Sequence, residues 1–251
     1  MNKTTITLPG MGNYYVEEAI KVLRTNLQFC GQDVRAITVT SCEMNEGKST
    51  ITLHMALSMA ALGKKVLVVD ADMRKSVIAG RNTDATNVRG LSEVLTGINT
   101  LNDCLYETQY DNLHVLFAGK YPPNPVELLD GQYFRDLISD AKQHYDYIFV
   151  DAPPLGMVID AAVIATSCDS AVIVIGSNRI RYAKAKEVAE QLKKSGCRIL
   201  GVILNKVNRR GIVGGTYGRY YNAKYGKYST YSRYGEYGIT ARNAGKATKS
   251  K

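Results

Sequence analysis

Three short segments carry residues whose type and order suit work on a polyphosphate. In the first, Ile37-Thr-Val-Thr-Ser-Cys-Glu-Met-Asn-Glu-Gly47-Lys48-Ser49-Thr50, a β-rich run passes through a loop into a helix-forming stretch. The closing Gly47-Lys48-Ser49 fits the end of the phosphate-loop pattern G-x-x-x-x-G-K-[ST], while Cys42 stands where that pattern opens with glycine. The physics survives that change. Backbone N–H groups of the loop and the N-terminus of the next helix offer partial positive charge to phosphate oxygens. Lys48 adds a full charge, the Ser49 hydroxyl suits Mg²⁺, and Asn45 tolerates the positive φ of a tight turn. The other two segments end apolar runs in acid. Val66-Leu-Val-Val-Asp70-Ala-Asp72 spaces two carboxylates two residues apart, and Tyr147-Ile-Phe-Val-Asp151-Ala-Pro-Pro supplies a third. Carboxylates gathered at one edge repel, and Mg²⁺ bound to nucleotide phosphates is their natural counter-ion.

Bringing those segments together requires a particular scaffold. Strand-length apolar runs at Ala36–Thr40, Val66–Asp70, Leu113–Phe117, Tyr147–Asp151, Ala171–Ile175 and Leu200–Leu204 are nearly continuous, as strands covered on both faces are. Helical patterns at Lys48–Leu62, Leu91–Thr96, Pro125–Gln143, Asp160–Thr166 and Ala183–Lys194 lie between them, with Gly63 where a helix end needs a left-handed residue. This alternation predicts an α/β fold with a doubly wound, mostly parallel sheet, whose ligands bind at the carboxyl ends of the strands. An amphipathic helix is expected over residues 14–29, ahead of the first strand. Asp160 reads as a helix N-cap, although it lies soon enough after Asp151 to face the cleft. Arg74 and Arg181 read as surface arginines that need no function, with contact to phosphate or a neighbouring subunit as the alternative.

Composition sets the limits. The 251 residues are 45% apolar, which supports a core and excludes global disorder. No apolar run approaches a membrane span and the N-terminus has no signal-peptide core, so a cytoplasmic location is expected. Five scattered cysteines and three scattered histidines match neither a disulfide framework nor a transition-metal site. Of the net charge of +9, residues 206–251 hold an excess of +10 and the remainder −1. The basic pI therefore says nothing of nucleic-acid binding by the body, and no nucleic-acid partner is expected. Residues 211–240 interleave eight tyrosines with Gly, Ser and basic residues, a composition without aliphatic anchors that predicts a flexible tail.

The combination resembles the bacterial tyrosine kinases. Gly47-Lys48-Ser49-Thr50, Val69-Asp70-Ala71-Asp72-Met73-Arg74 and Phe149-Val150-Asp151-Ala152-Pro153-Pro154 are similar to their Walker A, A′ and B motifs. Tyr121-Pro-Pro-Asn-Pro-Val-Glu-Leu-Leu129 resembles their proline-rich loop, and the terminal tyrosines their autophosphorylation region. The resemblance implies a P-loop NTPase fold of the deviant Walker A, MinD/ParA-like type, with residues 1–210 as the kinase domain and 211–251 as the tail. It also implies ATP and Mg²⁺ as cofactors, a soluble form used in capsular or exopolysaccharide synthesis, a separate transmembrane activator that recruits it to the inner membrane face, and a phosphotyrosine phosphatase.

Roles follow by resemblance. Asn45, Glu46, Gly47, Lys48, Ser49, Thr50 and Asn205 would line the ATP site, with Asn205 at adenine; Ser49, Asp70, Asp72 and Asp151 would hold the metal. Lys48 would grip phosphates, and Asp70 or Asp72 would accept the phenol proton, a choice the residues leave open. Acceptors would be Tyr217, Tyr220, Tyr221, Tyr225, Tyr228, Tyr231, Tyr234 and Tyr237. Glu18-x-x-Lys21-x-x-Arg24 resembles the helix motif that joins subunits into a ring, with Lys21 in place of an arginine. Eight phosphates would add roughly −12 to −16 and overturn the tail's charge, releasing tails from neighbouring sites. A MinD/ParA-like ATPase switch with a basic tail that grips nucleic acid or membrane is the alternative.

Overall fold

The computed structural model describes residues 2–85 and 88–207, so the tyrosine-bearing segment lies outside the described residues. In chain order the elements are β1 (Asn2–Lys3), α1 (Tyr14–Gln28), β2 (Ala36–Ser41), α2 (Lys48–Ala60), β3 (Val66–Asp70) and α3 (Ile78–Asn82). Next come α4 (Leu91–Leu95), α5 (Leu101–Cys104), β4 (Leu105–Glu107), β5 (Leu113–Leu116), α6 (Pro125–Asp130) and α7 (Gln132–His144). The series closes with β6 (Tyr147–Asp151), α8 (Asp160–Ala165), β7 (Ser170–Gly176), α9 (Tyr182–Lys194) and β8 (Arg198–Asn205).

The strands form one sheet in the order β1-β4-β5-β3-β6-β2-β7-β8. Six run parallel; β4 pairs antiparallel to β5 and carries β1 with it. Side chains of the central strands alternate between two cores. Leu67, Val69, Ile148 and Val150 enter the core beneath α4 and α6 to α9, whereas Val66, Val68, Ile37, Val39 and Phe149 enter the core beneath α1 to α3. Burial on both faces explains why these strands read as unbroken apolar runs rather than as an alternation. Helix α2 lies between the sheet and α1, which is why most of its residues are buried rather than a single stripe. Beyond it Gly63 takes φ +76°, and its N–H donates to the Ala60 carbonyl, ending the helix as expected. No helix among the described residues is long and apolar enough to cross a membrane.

Two expectations are corrected. The helix read across Pro125–Gln143 is two helices, because Gly131 is extended (φ −70°, ψ 159°) and interrupts the hydrogen-bonding run. Asp160 is not an N-cap: Ile159 holds that position, and Asp160 is a buried first-turn residue whose carboxylate pairs with Arg74.

Candidate functional site

Parallel pairing brings the three chemical segments to one edge. Asp70 and Asp151 sit opposite each other in the β3–β6 register, and Val39 of β2 lies opposite Asp151 on the other side. From the end of β2 the chain turns through residues 42–46 into α2. Asn45 has φ +61° and Gly47 φ +95°, so both left-handed positions fall on residues suited to them. Gly47 has a second constraint, since a Cβ there would lie 2.2 Å from Asn205 Nδ2.

The loop is shaped from beneath by Glu46. Its buried carboxylate accepts the N–H groups of Cys42 (2.8 Å), Glu43 (2.8 Å) and Gly176 (2.9 Å), tying the loop to itself and to the end of β7. From β8, Asn205 Nδ2 donates to the Glu46 carbonyl at 2.9 Å, and Lys206 Nζ donates to the Asn45 carbonyl. The side chains of Glu46 and Asn205 thus bind the loop itself, Glu46 taking the N–H groups of Cys42 and Glu43. The N–H groups of residues 44–47, which have no hydrogen-bond partner among the described residues, are the surface a phosphate can meet.

Lys48 Nζ stands 2.9 Å from Asp72 Oδ2, 3.6 Å from Asp151 Oδ2 and 3.4 Å from Ser49 Oγ, with Lys48, Ser49 and all three acids buried. Asp70 accepts from Ser76 Oγ (2.5 Å) and the Asp72 N–H (3.2 Å), and Asp72 also accepts from the Lys75 N–H (3.0 Å). One ammonium is therefore set against three carboxylates. Burial, then the Asp151 carboxylate beside it, push Asp70 up to about 8, against the Ser76 hydroxyl and Lys48. Asp151 is raised too, chiefly by burial. Burial disfavours the Lys48 ammonium, but Asp151 and Asp72 outweigh it and hold its pKa above the ordinary lysine value.

This arrangement fits a divalent cation that arrives with a polyphosphate. Asp151 Oδ1 is buried and has no hydrogen-bond partner, while both oxygens of Asp70 and of Asp72 are engaged. Among the described residues no group of three or more His, Cys, Asp or Glu forms a ready cage for a metal. Mg²⁺ takes one or two protein oxygens and fills its octahedron with water and phosphate. Ser49, Asp151 and the acids of the β3 end are the donors present.

The expected subunit-contact residues lie away from this edge, on α1. Lys21 pairs with Glu18 at 2.7 Å on the exposed surface, where solvent screens the attraction. Arg24 turns inward, its Nη1 donating to the Ser58 carbonyl and hydroxyl at 3.3 and 3.2 Å. Two contributions escaped the sequence reading. The Glu46 brace has only its place beside Gly47 as a sequence signal; the Arg74–Asp160 pair spans 86 residues and has none.

A family model described as an AAA domain matches residues 34–195. The tyrosine-protein kinase CpsD of Streptococcus agalactiae is 42% identical over 204 residues, which cover 81% of this chain and 89% of that one. The kinase domain of the Escherichia coli tyrosine kinase ETK superposes with a TM-score of 0.73 at 32% identity, covering 77% of this chain and 76% of that domain. The septum site-determining protein MinD of Pyrococcus horikoshii, solved in complex with Mg-ADP, gives a TM-score of 0.59 at 31% identity over 70% of this chain and 72% of that one.

Proposed function

This chain belongs to the bacterial tyrosine-protein kinases and has their MinD-like P-loop fold, and from that premise we propose that it transfers the terminal phosphoryl group of ATP to tyrosines of its own C-terminal segment. The observation that carries the proposal is Lys48, buried among Asp72 and Asp151 at the start of α2, next to a loop whose residues 44–47 keep N–H groups without a partner among the described residues. In use, the loop and Lys48 hold the phosphates, Ser49 and Asp151 hold Mg²⁺, and Asn205 borders the nucleotide through the loop it braces. Bound Mg²⁺ supplies charge neutralisation at the phosphates. The tyrosine oxygen forms a bond to the terminal phosphorus as the bond to the bridging oxygen breaks, and ADP leaves with the electron pair. The phenol proton passes to Asp70 or Asp72, the two acids of the β3 end.

The acceptors in this reading are Tyr217, Tyr220, Tyr221, Tyr225, Tyr228, Tyr231, Tyr234 and Tyr237, all in the segment with a +10 balance, which an acidic site attracts. Transfer occurs in trans within a ring-like homo-oligomer joined through α1, where Glu18 and Lys21 are exposed. A separate transmembrane activator holds the kinase at the inner membrane face, a phosphotyrosine phosphatase resets the tail, and the output is control of capsular or exopolysaccharide synthesis. The family resemblance supports these three. Each phosphate adds about −1.5 to −2 charges, so a handful cancel the tail's excess and loosen the assembly.

Incubation of the full chain with ATP and Mg²⁺, followed by peptide mass spectrometry, tests the proposal. Phosphotyrosine within residues 217–237 is expected, with a fall in particle mass at fixed salt. Phosphate release without phosphotyrosine would favour the ATPase switch that the likeness to MinD suggests. Labelling with unchanged particle mass would remove the charge switch alone.

A further inference from the structure

Arg74 stands two residues beyond Asp72, in the connection from β3 to α3. Its Nε donates to Asp160 Oδ2 at 2.8 Å, and Asp160, at the start of α8, is 1% exposed. The pair is half made. Asp160 Oδ1 is buried with no hydrogen-bond partner, and the Nη groups of Arg74 make no hydrogen bond among the described residues. Guanidinium and carboxylate are shaped for two parallel bonds, and a plain tether would gain from making both. A bare buried carboxylate oxygen is costly, so the single contact points to a second demand on the guanidinium. The Arg74 side chain is 35% exposed and so within reach of a ligand.

We propose that Arg74 is a further phosphate-binding residue of the kinase site and Asp160 its positioning residue. The buried carboxylate fixes the guanidinium through Nε, and the free Nη edge takes an oxygen of the phosphoryl group in transfer. Such a donor is needed because Lys48, the cation inside the site, is already shared between Asp72 and Asp151. Arginine suits the task where lysine does not: its fork serves two oxygens at once, whereas one lysine nitrogen reaches either Asp160 or the phosphoryl oxygen. The identity of the phosphoryl group rests on the kinase reading above; the half-made pair does not.

The test uses the full chain and four variants: Arg74→Met, Arg74→Lys, Asp160→Asn and the double Arg74→Met/Asp160→Asn. Rates of phosphotyrosine formation and phosphate release are measured beside the dissociation constant of Mg-ADP. Each single variant is expected to lose about tenfold or more in rate, the scale of one charge-assisted hydrogen bond. The double variant is expected to be no slower than Arg74→Met alone, and ADP affinity, which lacks the transferred group, to stay within about twofold. A wild-type rate in Arg74→Lys would overturn the proposal in favour of a tether, since one nitrogen replaces the observed contact. Losses that multiply in the double variant would overturn the positioning role of Asp160, and ADP affinity falling in step with rate would overturn the contact to the transferred group. If Asp160→Asn does not fold, the two Arg74 variants decide the matter, because that side chain is partly exposed. Should the wild type release phosphate without making phosphotyrosine, the kinase reading fails while the same rate losses, read on release, still judge Arg74.

Discussion

Lys48→Met is expected to abolish tyrosine phosphorylation, by about 10²–10³-fold or more, and also to destabilise the protein before any nucleotide binds. The first effect is the loss of a charged donor to the phosphates. The second follows from the packing. Lys48 lies 2.9 Å from Asp72 and 3.6 Å from Asp151, and it opposes three buried acids. Removing one partner of a buried ion pair typically costs about 3–5 kcal/mol, because the partner charge stays behind. Here Asp70 and Asp151 have an escape, since burial raises the pKa of both and they take up protons. The destabilisation is therefore smaller at acidic pH and grows as pH rises and the protons must leave. Urea unfolding of wild type and variant at pH 6 and pH 8 measures it; a pH-independent difference would mean that Lys48 does not neutralise the acids.

Asp70→Asn is expected to act in the opposite direction on stability and in the same direction on activity. Burial and Asp151 push Asp70 up to about 8. An unfolded chain releases this proton near 3.8, while the folded chain keeps it until about 8, so the folded state binds more protons between those values. Stability contributed by this site falls as pH climbs through that window and is flat above it. Asparagine carries no charge to desolvate, and its amide can keep one acceptor for the Asp72 N–H while the Ser76 hydroxyl reverses its role. Nucleotide-free Asp70→Asn is thus expected to be more stable than wild type at pH 8, on the order of 2 kcal/mol, with the gain vanishing toward pH 4. Phosphotransfer should drop by about 10²-fold or more if Asp70 is the base, and less if Asp72 is. An acid kept at a cost to stability is what a functional site looks like. Equal pH profiles for the two proteins would contradict the raised pKa.

Much of the fold was legible because the central strands are buried on both faces. Val66–Asp70 and Tyr147–Asp151 carry runs of Val, Ile, Leu and Phe that few other structures would bury, and both appear with the bounds read from the sequence. The sheet's far edge was not legible. Strand β1 is two polar residues, Asn2 and Lys3, and β4 is Leu105 to Glu107; only pairing to a sheet already formed makes strands of them. The break at Gly131 was hidden for a similar reason, since one glycine inside a helical pattern is compatible with a continuous helix.

At the site, the residues whose chemistry is declared by type were legible: Gly47, Lys48, Ser49 and the strand-end acids. Those whose work depends on where a side chain turns were not. Glu46 next to the glycine reads as a nucleotide contact, and nothing in its spacing showed that its carboxylate folds under the loop to take three N–H groups. Asp160 at a helix start reads as a cap, yet it faces Arg74 across the chain. Arg24 reads as a subunit contact, and its bonds to Ser58 of the neighbouring helix had no signal in the sequence. Local spacing specifies composition and period, and only packing decides direction.

A two-chain mixture measures the central claim most directly. One chain is Lys48→Met with its tail intact; the other has wild-type Lys48 and ends at residue 210, so neither can label itself as proposed. With ATP and Mg²⁺, phosphotyrosine is expected on the tail of the Lys48→Met chain in the mixture and in neither chain alone. A mixture that releases phosphate and leaves every tail tyrosine unmodified would contradict transfer from this site to the tail of a second copy.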